Sequence, residues 1–529
     1  MIRGATDQPI RDGDYEVCVV GAGPAGLTLA LELAERGRRV CVLEAGGESY
    51  VADAQQLLDG TVEGDPYPPL RSTRMSGLGG STRVWAGWCR PLDPMDFEAS
   101  DTFPRPGWPF DLDHLLPYYR RAHEACGLAD FQYDAAFWRA EPDRLPLVEN
   151  DTDLVHAMFH VRVRDFGTAC RDRLEKATGP DVYLHAPVTR LELDEGGAVR
   201  AAVVRPGGGP PVVVRAGEYV LAAGGIENAR LLLLSGSEPD RAPGNAHGLA
   251  GRYFMDHPYV NPGWLVLDSP RRLDFYFPAP VGGDAEPRVR AALVLPGEVT
   301  EREGLPGAAL FFHPRYEAHP AFDSPEVRAF LELREKLRSR AVPGAVAPLL
   351  VRALRAPHRV ALAVLRKLVV RNGPDTRWRV RMMFEPAPRP ENRVELRRER
   401  DPLDRPRVHV RWRLEDRELE RMRRTWARFD AAFRRAGVGR LEPSPADHNG
   451  AWRAVLEGGK HHMGTTRMHN DPRQGVVDEH GRVHGTANLH VTGSSVFPSA
   501  GYVNPTLTIV ALAIRLADRL AAISAGNAR

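Results

Sequence analysis

Cysteine is scarce in this chain: five stand among 529 residues, at Cys18, Cys41, Cys89, Cys126 and Cys170. An odd, dispersed set builds no disulfide framework, and Cys18 and Cys41 fall inside apolar runs where they read as small buried hydrophobes. No Cys/His cluster has zinc-site spacing, so no metal is expected. Long apolar runs are also missing: none could span a bilayer. The opening stretch MIRGATDQPIRDGDYEV has no apolar core of signal-peptide length, and the expectation is a soluble, cytoplasmic protein with no membrane span. Nor does one charge prevail. The 71 basic and 69 acidic side chains leave a formal +2, which, with no zinc-finger or similar signature, argues against nucleic acid as a partner. A chain of this length exceeds one compact core and predicts several units.

What is present begins at Tyr15. The stretch YEVCVVGAGPAGLTLALELAERGRRVCVLEAG reads as strand, tight turn, helix and strand. Gly21 permits the turn, Gly23 lets backbone approach a pyrophosphate, and Gly26 allows close packing of helix on strand. The helix N-terminus, opening at Pro24 and Ala25, offers free N–H groups to phosphate. Glu44, with Ala45 beside it at the end of the second strand, stands where a carboxylate would accept ribose hydroxyls. This is a dinucleotide site, although the pattern alone does not separate FAD from NAD. A second fingerprint is absent. The nearest candidate, YVLAAGGIENARLLLLSG, has one Gly pair, Gly224 and Gly225, between strand and helix, so one nucleotide per chain is the simpler reading.

Two further segments bring a resemblance. SGLGGSTRVWAGWCRPLDPMDF is glycine-rich, then aromatic. Near the C-terminus stands HHMGTTRMHNDPRQGVVDEHGRVHGTANLHVTGSSVFPSAGYVNPTLTIVALAIRLADRL. With the N-terminal unit, these resemble the glucose–methanol–choline (GMC) oxidoreductases, most of all the pyranose-oxidase-like sugar and polyol branch, over about Tyr15 to Leu520. The resemblance implies an α/β and α+β fold: a Rossmann-type FAD-binding domain interleaved with a substrate domain built on an antiparallel β-sheet. Residues 12–100, 181–262 and 455–521 would form the first, 101–180 and 263–454 the second, with 1–11 and 522–529 as flexible termini. Independently, RWRVRMMFEP, NRVELRRER and PRVHVRWRL alternate polar and apolar residues as one-sided strands do.

Carried over residue by residue, the resemblance puts FAD contacts at Gly21, Gly23, Gly26 and Glu44 and at the loop Gly79, Gly80, Ser81 and Thr82. Val84, Trp85, Ala86 and Gly87 would approach the isoalloxazine ring. Val188 resembles the strand residue whose backbone meets adenine, and Ala223 and Gly224 the turn beside the flavin nucleotide. Gly493, Ser494, Asn504, Pro505 and Thr506 would close the other side. Some relatives bind flavin covalently through a histidine at the position of Val84. Valine cannot form that bond, so dissociable FAD is expected.

The resemblance also implies a His–Asn pair: His461 taking the hydroxyl proton and Asn504 orienting the oxygen, while flavin N5 accepts the hydride. His462 adjoins His461 and would exchange roles under a register slip. His257 reads as structural, at the domain seam. The apolar pattern from Leu507 to Leu520 predicts a buried helix opening at Pro505. The Arg/Lys-rich stretch from Leu333 to Asn372 reads as a solvated amphipathic helix pair over the substrate entrance, in preference to a membrane- or partner-docking surface. The expectation is an FAD-dependent oxidation of a CH–OH group on a small sugar, cyclitol or glycoside-like substrate, with oxygen or another molecule as electron acceptor. The alternative is a lyase of the same fold that keeps FAD for structure. Nothing in the sequence fixes oligomeric state.

Overall fold

The computed structural model describes all residues except 14, 139–145, 149–152, 164, 282–286, 314–323, 339–345, 370–374, 445–451 and 527–529. The chain opens with strands β1 (Ile2–Gly4) and β2 (Tyr15–Val20), helix α1 (Pro24–Ala34) and strand β3 (Val40–Leu43). It leaves this unit for β4 (Trp88–Cys89) and β5 (Val155–Val161), then returns for β6 (Asp181–Leu184), β7 (Ala216–Leu221) and α2 (Gly224–Leu234). A long excursion follows through β8 (Pro258–Arg271), β9 (Arg288–Val294), β10 (Ala308–Phe312), β11 (Asp375–Phe384), helix α3 (Asp416–Arg435) and β12 (Gly439–Pro443). The chain comes back once more with β13 (Leu489–Val491) and helix α4 (Thr506–Gly526).

The returning strands form one six-stranded sheet in the order β1-β6-β3-β2-β7-β13, parallel throughout. Its central strands are short runs rich in valine and buried on both faces, as a sheet covered by helices on two sides requires. Strand order reverses about β2, and ligands bind at such a switch point, beyond the carboxyl ends of the strands. Helix α4 packs against α1, and from Leu507 to Leu520 it is buried except at Ile509, Arg515, Asp518 and Arg519, which are half-buried, as its apolar pattern predicts.

The excursions build an antiparallel sheet in the order β12-β8-β11-β10-β9-β5-β4, with two short strands, 279–280 and 456–458, at its margins. Successive side chains point to opposite faces. Phe159, Ala292, Phe311 and Met383 therefore join the core shared with the parallel sheet, while Met158, Leu293, Leu310 and Met382 pack with Met422, Phe429 and Phe433 of α3. The Rossmann-type unit is thus interleaved with a unit built on an antiparallel sheet.

Three sequence expectations change. Residues 1–11 are not wholly a flexible terminus, because Ile2–Gly4 pairs with Val182–Leu184 and extends the parallel sheet. At the other end α4 runs past residue 521 to Gly526. Of the three alternating segments, only the first joins the large sheet; Arg393–Arg400 and Pro406–Trp412 form a hairpin whose second strand pairs in parallel with Gly60–Gly64. Val408, Val410 and Trp412 gain burial there that the large sheet does not offer them. The basic stretch forms helices at Pro325–Arg338, Val346–Ala353 and Pro357–Val369, with Leu350, Val351, Leu354 and Leu365 exposed. Its parts at 339–345 and 370–372 lie outside the described residues.

The glycine turn allows a direct comparison of two substitutions. A Cβ on Gly26 would stand 1.9 Å from the Gly21 carbonyl oxygen, whereas one on Gly23 meets no heavy atom within 4 Å. Gly26→Ala is therefore expected to cost about 3 kcal/mol or more and to lower the melting temperature sharply, while Gly23→Ala leaves the fold intact. Thermal denaturation of the two flavin-free variants checks this; equal losses would contradict the packing argument.

Candidate active site

At the carboxyl end of β2 the chain turns at Gly21, whose φ is +105° and whose Cβ would meet the Ala222 carbonyl oxygen at 2.7 Å. Only glycine fits. Helix α1 then begins at Pro24 and Ala25, capped by no side chain, so its first N–H groups stay available. Gly80 packs on Gly23, its Cβ position 2.9 Å from the Gly23 Cα, and the Gly79 N–H donates to the Ala22 carbonyl at 2.8 Å. Gly224, with φ +86°, also has open space where a Cβ would stand. Two open glycines at the heads of uncapped helices make a cradle suited to a pyrophosphate.

Glu44 has a structural task that the sequence did not reveal. Its carboxylate accepts from Ala22 N (2.9 Å), Gly46 N (2.8 Å), Gly77 N (2.9 Å) and Ser76 Oγ (3.1 Å). Three of these converge on Oε1 and only Ala22 N reaches Oε2, so Glu44 ties the glycine turn to the 76–79 loop through Oε1 and keeps acceptor capacity on Oε2. Ala45 follows in the same turn, and the Glu44 carbonyl accepts from Ala186 N at 2.8 Å, which brings this region beside Val188. The Val188 carbonyl accepts from Arg405 Nη1 at 3.1 Å. Ser81 and Thr82 are likewise engaged within the protein: Ser81 Oγ accepts from Met75 N (3.2 Å) and Thr82 Oγ1 from Phe166 N (3.0 Å).

The opposite end of the cleft carries buried polar atoms without partners: Trp85 Nε1, His462 Nε2 and Asn504 Oδ1. Such atoms are costly unless a ligand or water meets them, and a polar-edged planar ring suits them. Val84 is 45% exposed and Ala86 is exposed, while Gly87 packs against Arg162. Ala223 N donates to Asn228 Oδ1 at 2.8 Å, and Asn228 Nδ2 donates to Thr492 O and Ser495 Oγ. Asn228, fully buried, thus joins the turn at Ala223 and Gly224 to Gly493 and Ser494, a link the sequence did not show. The open glycines at the two helix heads and these unpartnered atoms fit FAD. Pro505 and Thr506 open α4, where Ile509 N donates to the Pro505 carbonyl at 2.9 Å.

Between these ends, His461 and Asn504 meet: Asn504 Nδ2 lies 3.2 Å from His461 Nε2. His462 does not take that place; its ring sits between Tyr67 and Phe254. His257, expected to be structural, contacts His461 directly. Its Nδ1 is 2.8 Å from His461 Nδ1, and its Nε2 is 3.0 Å from the Gly501 carbonyl. A carbonyl only accepts, so His257 carries its proton on Nε2 and, when neutral, presents a lone pair at Nδ1. His461 must then donate from Nδ1, which leaves Nε2 unprotonated toward Asn504. The chain of partners selects the tautomer a base needs.

Asp256 holds this arrangement from below. Its carboxylate accepts from His461 N (2.7 Å), Lys460 N (2.9 Å) and the Tyr67 hydroxyl. Lys460 has φ +64°, a strained conformation for a residue with a side chain, and these amide bonds hold it there. Burial pushes the Asp256 carboxyl up to about 6, short of neutralising it at pH 7. Burial pushes the imidazoles down: His257 to about 4, His462 to about 3, and His461 well below its ordinary 6.5, with His257, His462 and Arg381 adding to the effect.

A histidine with a depressed folded pKa binds fewer protons folded than unfolded. Its contribution is present above 6.5 and lost as pH falls toward 4, at about 1.4 kcal/mol per pH unit for each group. Asp256, raised, works in the opposite sense, gaining as pH falls through 6, but it is one group against three. Melting temperature is expected to fall between pH 6.5 and 4, and to fall less in His257→Phe; a wild-type curve flat over that range would contradict the neutral cluster.

Residues 16–283 match the family model described as FAD dependent oxidoreductase, and residues 388–513 match that of the GMC oxidoreductase C-terminal region. The chain is 25% identical to 2-methyl-1,2-propanediol dehydrogenase of Mycolicibacterium austroafricanum, covering 95% of this chain and 94% of that protein. It is also 25% identical to 6'''-hydroxyparomomycin C oxidase of Streptomyces lividus, over 96% and 92% of the two chains. Paromamine 6'-oxidase of Streptomyces fradiae is 26% identical over 97% and 92%. Among solved structures, pyridoxine 4-oxidase from Mesorbium loti shares the fold with a TM-score of 0.60 at 18% identity, covering 96% of this chain and 99% of that one. The chain belongs to the FAD-dependent oxidoreductases of the GMC family.

Proposed function

We propose that the protein oxidises a CH–OH group of a sugar, cyclitol or glycoside-like substrate to a carbonyl, with His461 as the base and Asn504 orienting the alcohol oxygen. The observation that carries this reading is the chain of contacts from the Gly501 carbonyl through His257 and His461 to Asn504, which favours an unprotonated Nε2 on His461. FAD, when bound, supplies the acceptor for the hydride that leaves carbon. Asn504 presents an amide donor and an unpartnered Oδ1 to the substrate hydroxyl. His461 takes the hydroxyl proton at Nε2 and becomes an imidazolium whose Nδ1–H already donates to His257. The Gly501 carbonyl behind His257 and the Asp256 carboxylate beneath His461 favour that positive charge. His257 is a positioning residue, acting through His461. Relatives named for a propanediol, for hydroxyparomomycin C and for paromamine support a polyhydroxylated substrate.

Two further parts of the reading concern cofactor and setting. Val84 offers only carbon to its surroundings, which supports dissociable FAD. Contacts to FAD are assigned to Gly21, Gly23, Gly26, Gly79, Gly80, Trp85 and Gly224. The five cysteines are all free and buried, which fits a reducing, cytoplasmic setting. No helix among the described residues is long and apolar enough to cross a membrane.

Anaerobic flavin reduction across a panel of polyols and sugars tests the chemistry. The wild type is expected to bleach with at least one of them, His461→Ala to slow this by about 10²–10⁴, and Asn504→Ala by about 10², each with FAD retained. Turnover of an alcohol without bleaching would favour the lyase instead. Because His461 is neutral well below pH 6.5, the reduction rate is expected to stay flat from pH 8 to about 7 and to weaken only as the Asp256 carboxyl protonates at about 6; a step at or above 7 would remove the tautomer argument. Acid precipitation is expected to leave the yellow colour in the supernatant, and colour in the pellet would overturn the reading of Val84.

A further inference from the structure

One buried charge takes no part in the network above. Arg290, on β9, is 5% exposed, and its Nε and Nη2 are buried with no hydrogen-bond partner. Among the described residues its guanidinium makes no ion pair, and the titratable group beside it is the Tyr259 hydroxyl, which burial keeps neutral. Other buried arginines are partnered. Arg230 reaches Asp401 at 2.9 Å, and Arg105 reaches Glu385 at 3.3 Å. Burial without a counter-ion pushes Arg290 down to about 9, which leaves it charged at neutral pH. An isolated buried cation costs several kcal/mol unless something anionic meets it.

Its position gives the cost a purpose. The Arg290 carbon Cζ lies 4.5 Å from the Trp88 ring centroid and 5.0 Å from that of Phe311, and the two centroids are 4.9 Å apart, so both rings lie to one side of the guanidinium as an aromatic floor. What stays unpartnered is one edge, Nε and Nη2, the pair of parallel donors that engages a carboxylate in bidentate fashion. The strand pleat puts Arg290 on the same face as Ala292, toward the parallel sheet and the cleft. Trp88 follows the Val84–Gly87 loop directly. Tyr259 bridges the remaining distance: its hydroxyl lies within the electrostatic reach of Arg290 and interacts with Asn504, and its ring centroid is 6.3 Å from that of His461.

We infer that Arg290, resting on Trp88 and Phe311, is a carboxylate-binding subsite, and that the substrate is a sugar or polyol bearing an acid group beyond the reacting CH–OH. This rests on the alcohol-oxidation reading for the site and narrows its substrate class. The carboxylate docks past Tyr259, not beside the carbon under His461, which favours an aldonic or uronic acid over a 2-hydroxy acid. A protonated amino sugar is excluded by the same charge. Arg290 and the substrate carboxylate neutralise each other, while the hydroxyl at the far end meets His461 and Asn504.

The test uses the holoenzyme and needs no turnover. Acetate is titrated into wild type, Arg290→Gln and Arg290→Met, with bound-flavin absorbance as the readout and inorganic phosphate titrated in parallel. The expected result is a saturable spectral change with acetate whose Kd rises at least tenfold in both variants, FAD stoichiometry being unchanged. Arg290→Met keeps bulk against the two rings, so a folding defect confined to Arg290→Gln would be recognised. Anaerobic reduction is then compared for D-gluconate and its neutral counterpart D-glucitol. The acid is expected to be at least tenfold more efficient, and the preference to vanish in Arg290→Gln. Acetate that leaves the wild-type flavin unperturbed, or binds the variants equally well, overturns the subsite. Phosphate binding more tightly than acetate overturns its carboxylate assignment. Reduction by glucitol with no acetate response would sink the subsite and spare the oxidation reading; Arg290-dependent acetate binding with no alcohol reducing the flavin would do the reverse.

Discussion

Two imidazoles facing each other through Nδ1, at 2.8 Å, cannot both present a proton, and this constraint organises the centre of the molecule. The Gly501 carbonyl decides which one donates, because it takes the proton of His257 on the other nitrogen. The tautomer of His461 is therefore set through His257, by a backbone group in the turn that leads into α4. That turn also carries Asn504. One short segment thus fixes the direction of the hydrogen bonds and supplies the second polar group at the reacting position.

Interleaving follows from the same requirement. His461 comes from the C-terminal return to the parallel sheet, while His257 and Asp256 lie just before β8, where the chain sets out on its longest excursion. Asp256 accepts the amides of Lys460 and His461, and so ties the start of that excursion to its end. The antiparallel sheet then presents Tyr259, Arg290 and Phe311 on the face toward the cleft, and α3 covers the other face. Burial lowers the histidines and raises Asp256, so the ion pair that proton uptake by His461 would create forms in a site already short of water.

Legibility in the sequence tracked how local each signal was. Gly21, Gly23 and Gly26 announce the turn because their spacing encodes it, and the structure shows two distinct reasons: Gly26 has no room for a Cβ, while Gly23 has nothing against it. The buried C-terminal helix was readable from its apolar residues on every side. His257 was legible as a residue but not in its role, since its contact with His461 spans 204 positions. Glu44 was read as a ribose acceptor, and only the fold reveals the four protein donors around it. The hairpin at 393–412 shows alternation plainly, yet period two does not say which sheet a strand joins. Arg290 gave no signal at all, because lacking a counter-ion is a property of the folded surroundings.

The central claim is that His461 is neutral, with its proton on Nδ1 and an unprotonated Nε2 that accepts from Asn504. Nitrogen-15 NMR of histidine-labelled holoenzyme at pH 7, with His461 assigned by comparison with His461→Ala, reads both ring nitrogens directly. The account predicts a protonated, pyrrole-type Nδ1 and an unprotonated, pyridine-type Nε2 for His461, with the reverse pattern for His257. An imidazolium signature, or the Nε2–H tautomer at His461, would contradict it.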